Sequence, residues 1–196
     1  MTPGNRAWPL LAGALAAGSL LAWWWPAALL DWQPVLAGSQ PWRAWTAAFV
    51  HWTALHLAGN LAGAAVVAAL GVMGRMPWPM ALAWFLAWPL TQLSLLLRPE
   101  LVHYGGLSGV LHAGVAVVAL WLLFRESGRR RLIGGAIAAG LLTKIALEAP
   151  WGPSLREAGG WDIKIAPLAH AGGAVAGAVC AALLLWLRPP RAARPS

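Results

Sequence analysis

The sequence predicts an all-α membrane protein, a bundle of six transmembrane helices forming one domain over residues 1–188, and three observations carry that expectation. Of its 196 residues, 60% are hydrophobic and only 10% are charged, and the mean hydropathy is +0.64. Such values lie outside the range of ordinary soluble domains. Six apolar stretches, at about 8–30, 46–71, 79–97, 106–124, 132–149 and 165–187, each approach the roughly 20 residues that a spanning helix needs. The basic residues are distributed unevenly between the connections. With the N-terminus cytoplasmic, the inner segments hold Arg6, Arg75, Arg125, Arg129, Arg130, Arg131, Arg188, Arg191 and Arg194, and the outer loops hold Arg43, Arg98, Arg156 and Lys164. This bias follows the positive-inside rule and places both termini in the cytoplasm. It also accounts for the net charge of +8 without nucleic acid as a partner, since no basic surface interleaved with aromatics is present.

The first stretch follows Arg6 and is rich in small residues, as a signal peptide would be. Its length and the Trp23-Trp24-Trp25 cluster, suited to a membrane interface, predict a retained helix. The segment "LDWQPVLAGSQPWRAW" that follows, with its prolines, glycine and tryptophans, reads as a partly ordered loop at the outer interface. The second helix enters from outside with "TAAFVHWTALHLAGNLAG". The third runs back outward and is expected to kink at Pro89, near Thr91, Gln92 and Ser94. The fourth opens at "YGGLSGVLHAG" and ends at the basic "FRESGRRRL". The fifth returns through "GLLTKIALEAPWGP", and the sixth descends through "IAPLAHAGGAVAGAVCAALLLWL". The basic tail, residues 189–196, is expected to be disordered. Cys180 stands alone and reads as a small packing residue.

The second, fourth and sixth helices all enter from the outer side, and each carries its polar residues early. At 1.5 Å per residue, Ser108 and His170 fall within roughly 10 Å of their helix starts. Polar groups at bilayer depth are costly and turn toward the bundle interior. A serine alone is usually an interface residue bonded to its own helix, and a lone histidine is as often packing as function. Together they form a nucleophile with a base able to take its proton. A two-residue dyad suffices for this chemistry, and no Asp or Glu of the apolar segments stands out as a third member.

Acyl transfer also needs donors aimed at the developing oxyanion. His56 and Asn60 lie four apart on one helix face and can serve one oxygen; His51, about 140° around the same helix, is expected to support the loop or helix start instead. Gly106 and Gly109 flank Ser108 with bare backbone, leaving room for a peptide and free N–H groups at the helix start. Gly173 and Gly177 form a small-residue face below His170 that lets the fourth helix approach. Lys144 and Glu148, four apart in the fifth helix, form either a self-satisfied ion pair or a substrate-binding element.

These motifs resemble a known family. Trp42-Arg43, His51-x4-His56-x3-Asn60, Gly106-x-Ser108-Gly109 and Ala169-His170-x2-Gly173-x3-Gly177, taken in order over all six helices, are similar to the rhomboid intramembrane serine proteases. The resemblance implies a six-helix rhomboid-like fold, Ser108 as nucleophile, His170 as general base, and His56, Asn60 and the Ser108 backbone N–H at the oxyanion. "GLSGVLH", containing Leu107 and His112, and "LTKIALE" in the fifth helix look most like the bacterial rhombosortases. That likeness implies an inner-membrane enzyme with its site toward the periplasm. The implied partners are the lipid bilayer and membrane substrates ending in a Gly-Gly signal, an apolar helix and a basic end, with an amine acceptor as an alternative to water. His112 stands where rhomboids commonly have an aromatic residue packed on the catalytic histidine, and Ala113 where the rhombosortase pattern has glycine.

Three rival readings fit the sequence less well. An inactive rhomboid-like protein that captures transmembrane helices would not need both Ser108 and His170. A transporter would carry polar residues through to the inner half, but the helices below Asn60 and Gly177 are almost wholly apolar. A metal site is disfavoured because the five histidines lack paired carboxylates, cysteines or an HExxH arrangement; no metal or other cofactor is expected.

Overall fold

The computed structural model describes residues 6–187, so the basic tail from 189 onward lies outside the described residues. The chain forms seven α-helices among those residues: α1 (Ala7–Ala22), α2 (Arg43–Thr46), α3 (Ala54–Met73), α4 (Trp78–Leu93), α5 (Ser108–Arg125), α6 (Gly128–Glu148) and α7 (Pro167–Trp186). No strand is present among them, only isolated bridges between Trp32 and Tyr104 and between Arg156 and Ile165.

Several boundaries differ from expectation for local reasons. The first helix ends at Ala22 instead of near residue 30, because Pro26 disfavours helical geometry in the residue before it and cannot extend the hydrogen-bond ladder. The second does not run continuously from residue 46. α2 and a 3-10 turn at Ala47–Phe49 give way to an extended Val50, and α3 starts only at Ala54. Thr53 caps it, its hydroxyl accepting from the His56 N–H at 3.1 Å. α7 starts with Pro167 in its first turn, where a missing N–H costs nothing. α4 continues through Pro89 to Leu93 and ends in a 3-10 turn, Ser94–Leu97.

Four helices, beginning at Ala54, Trp78, Ser108 and Pro167, are long and apolar enough to cross a membrane. At 16 residues α1 is shorter, and α6 carries Arg129, Arg130, Arg131, Lys144 and Glu148; the expected count of six spans is not established by length and composition.

α5 is the hub of the bundle and packs on α3, α4, α6 and α7. Its contact with α7 is made by backbone. A Cβ at Gly173 would run into the Gly109 carbonyl, and one at Gly177 into the Ala113 carbonyl. Without those methyl groups the two helices close to the range in which small-residue interfaces form. Alanine, valine and leucine make up most of the rest of the core, and two of its tryptophans donate their indole N–H groups to backbone acceptors, Trp8 to Val67 at 2.9 Å and Trp84 to Val110 at 2.7 Å. α6 differs from the others, since Gly134 is its one buried residue, seated against Leu122 and Ala119 of α5.

Two polar clusters tie the ends. At one, Arg130 donates to the Gly74 carbonyl and Arg125 to the Leu185 carbonyl, cations set at helix C-termini where the dipole favours them. At the other, buried Arg43 donates to the carboxylate of buried Asp31 at 2.8 Å, to its carbonyl at 2.7 Å and to the Ala28 carbonyl at 2.9 Å. His103 meets the second Asp31 oxygen at 2.5 Å. This cluster, with the Trp32–Tyr104 bridge, fastens the long loop after α1 to the segment that leads into Ser108.

Candidate active site

The helix starts bring the polar residues to one end of the bundle. His56 is the third residue of α3, Ser108 the first of α5 and His170 the fourth of α7, while Glu148 ends the oppositely directed α6. A cavity of about 790 Å³ opens there, lined among others by His56, Asn60, Ser108, Lys144, Glu148 and His170. Its cover is the loop between α6 and α7. Trp161 lies against Gly59, where a Cβ would overlap its ring, and Asp162 accepts from the Thr53 hydroxyl at 2.8 Å.

Ser108 Oγ lies 2.8 Å from His170 Nε2. On the far side of the ring, Nδ1 lies 2.6 Å from Glu148 Oε2. Because an ionised carboxylate only accepts, Nδ1 carries the proton and Nε2 is left bare to accept from the serine. That is the tautomer a general base requires. The contact corrects the expectation that no acid is placed as a third member. Lys144 does pair with Glu148, through Oε1, but the pair is not self-contained, because Oε2 serves His170. Lys144 is half-exposed and lines the cavity.

His112 stacks on His170, with ring centroids 4.2 Å apart and planes 12° apart. Its Nδ1–H donates to the Ser108 carbonyl at 2.7 Å, so one ring both covers the His170 face and braces the first turn of α5.

His56 and Asn60 are both buried, and Asn60 Nδ2 spends one donor on the His56 carbonyl at 3.1 Å. A Cβ at Gly106 would stand 2.8 Å from His56 Nε2 and 3.9 Å from Asn60 Nδ2, so both groups converge on the space beside that glycine. Gly106 has φ of +132°, a conformation that glycine adopts without strain. The Ser108 N–H belongs to the first turn of α5, whose amides lack intrahelical acceptors. His56 and Asn60 of α3 and the first turn of α5 therefore border the same cavity that Ser108 lines.

Other expected residues fall elsewhere. Gly109 is buried, and a Cβ there would meet Thr91 at 2.7 Å and the Ala169 carbonyl at 2.8 Å; its bareness serves helix packing, not peptide access. Leu107 is fully buried in the core. Gly173 lies in the α5–α7 contact described above. His51 precedes α3 instead of lying on it, and its Nδ1–H donates to the Phe49 carbonyl at 3.0 Å. Its ring centroid is 4.7 Å from that of His56, and burial pushes its pKa down against the opposing effect of the Phe49 carbonyl.

Two neighbours were not singled out by sequence reasoning. Tyr104, buried beside Ser108 and Gly109, has its phenol pushed up by burial. Trp52 stacks over His56 at 6.3 Å between centroids, with planes 10° apart. Only their nearness to the glycine-rich opening and to His56 hinted at either. Among the described residues no group of three His, Cys, Asp or Glu could hold a metal ion.

A family model described as the Rhomboid domain matches residues 38–187, a span that contains Ser108, His170, His56, Asn60 and Glu148. Comparison with curated proteins and with solved structures returns no match. Members of the matched family are, in general, intramembrane serine proteases. With three-quarters of its length covered and four helices long and apolar enough to cross a membrane, this chain is a multi-pass membrane protein that belongs to the rhomboid family.

Proposed function

We propose that the protein is an intramembrane serine endopeptidase of six spans, with both termini cytoplasmic and the site toward the periplasmic face of a bacterial inner membrane. The observation that carries this reading is the 2.8 Å contact between Ser108 Oγ and His170 Nε2 at the wall of the cavity. As Oγ bonds to the scissile carbonyl carbon, its proton passes to Nε2 and the carbonyl electron pair moves onto oxygen. His56, Asn60 and the Ser108 N–H face the resulting oxyanion. Collapse breaks the C–N bond, and the leaving amine takes the proton from Nε2. Water then attacks the acyl-enzyme with His170 again as base; an amine acceptor would complete the same cycle by transfer.

The substrate we propose is a single-span protein whose C-terminal tail consists of Gly-Gly, an apolar helix and a basic end. Such glycines carry no side chain past the stacked His112 and His170 rings and the Trp161 cover. Co-expression with a Gly-Gly-tailed exported protein tests the reading. Tail removal is expected with the wild type and not with Ser108→Ala or His170→Ala; removal that persists in the serine variant overturns it.

A further inference from the structure

Glu148 has no part in the two-residue chemistry above, yet it makes the closest polar contact to the base. It is the last residue of α6, its side chain is 15% exposed, and its two oxygens are divided between Lys144 and the Nδ1–H of His170. The groups facing the imidazole are Ser108 and His112 from α5, Glu148 and Lys144 from α6, and His56 from α3. Among these the Glu148 carboxylate is the only anion.

We infer that Glu148 is a positioning residue that turns the Ser108–His170 pair into a charge-stabilised triad, with Lys144 clamping the carboxylate in place. The inference rests on Ser108 and His170 acting as nucleophile and base. Accepting from Nδ1–H, Glu148 holds the ring in the tautomer with Nε2 bare and aims Nε2 at Oγ. When the serine proton reaches Nε2, the carboxylate stabilises the imidazolium without taking a proton itself. The alternative arrangement, with Nε2 protonated and Nδ1 bare, would set a lone pair against the carboxylate and leave the serine without a base. Lys144 holds Oε1, which restricts rotation of the carboxyl group and keeps Oε2 on the ring.

The obvious bland role is a tether between α6 and α7. Kinetics separate the two. In detergent-solubilised protein with a Gly-Gly-tailed substrate, Glu148→Gln keeps the size and hydrogen-bonding capacity but offers an amide N–H to Nδ1, which favours the wrong tautomer. The expected result is a kcat at least about 100-fold lower with KM within about threefold, paralleled by slower labelling of Ser108 with a fluorophosphonate; equivalent Asp-to-Asn changes in serine protease triads cost up to about 10⁴-fold. Glu148→Asp, which keeps the charge, should recover a measurable part of the loss. Lys144→Met should lose less than Glu148→Gln. Thermal unfolding of the glutamine variant should match the wild type.

A kcat within about threefold of wild type in Glu148→Gln overturns the inference. So does a loss confined to KM or to thermal stability with the labelling rate unchanged. If the glutamine variant fails to fold, the comparison moves to Glu148→Asp and to the low-field Nδ1–H proton resonance of the wild type. A resonance that is absent, or present but insensitive to the aspartate substitution, also overturns it. Cleavage that survives Ser108→Ala would instead overturn the underlying assignment of the nucleophile, so the two failures are distinguishable.

Discussion

The gathering of Ser108, His170, His56 and Asn60 around one cavity was legible in the sequence because hydroxyl, imidazole and amide groups are expensive in apolar segments and so demand partners. What could not be read was rotation. Whether Glu148 faces Lys144 alone or also His170 depends on how α6 is turned against α7, and the spacing of four offered a local explanation that looked complete. His51 was misplaced for a different reason: the threonine at 53 is a helix cap, and its hydroxyl starts α3 three residues after the strand-like Val50. Two predictions belong to single residues. Asn60→Ala removes a donor bordering the Gly106 space and should lower kcat by about 10²-fold, with KM little changed, when cleavage is followed at saturating substrate. His112→Phe keeps a flat ring on His170 but loses the hydrogen bond to the Ser108 carbonyl. It should retain more activity than His112→Ala, as initial rates on the same substrate would show.

At the scale of elements, the α5–α7 contact sets the distance between Ser108 and His170. Gly173 and Gly177 were recognisable as a close-approach face from their spacing. That Gly109 belongs to the same contact was not, because a glycine beside a serine suits peptide access equally well until the opposite helix is in place. Gly173→Val is expected to push α7 off the Gly109 carbonyl, costing about 1–3 kcal/mol of stability and most of the activity; thermal unfolding and cleavage assays on one preparation would show both. The loop cluster is a second control point. Truncating Arg43 to Ala leaves Asp31 buried beside only His103 and Gln33, which is expected to cost about 3–5 kcal/mol. Differential scanning of detergent-solubilised protein checks this, and a stability equal to wild type would show that the cluster does not fasten the loop.

For the whole molecule, composition and the apolar stretches were enough to identify a membrane protein, and ordered motifs were enough to point to the rhomboid family that residues 38–187 match. The helix count was harder. α1 is cut short by Pro26, and α6 carries charges at both ends, so neither declares itself as a span by length and hydropathy. The charges on α6 have a use nonetheless: its basic start sits at the end of the bundle remote from Ser108, and its acidic end reaches the cavity. The account stands on Ser108 being a nucleophile activated by His170. Peptide mapping by mass spectrometry after fluorophosphonate treatment of the intact membrane protein tests this most directly. The predicted result is a single adduct on Ser108 that disappears in His170→Ala. A wild-type protein that cleaves its substrate yet carries no adduct on Ser108, or an adduct formed equally well without the histidine, would contradict it.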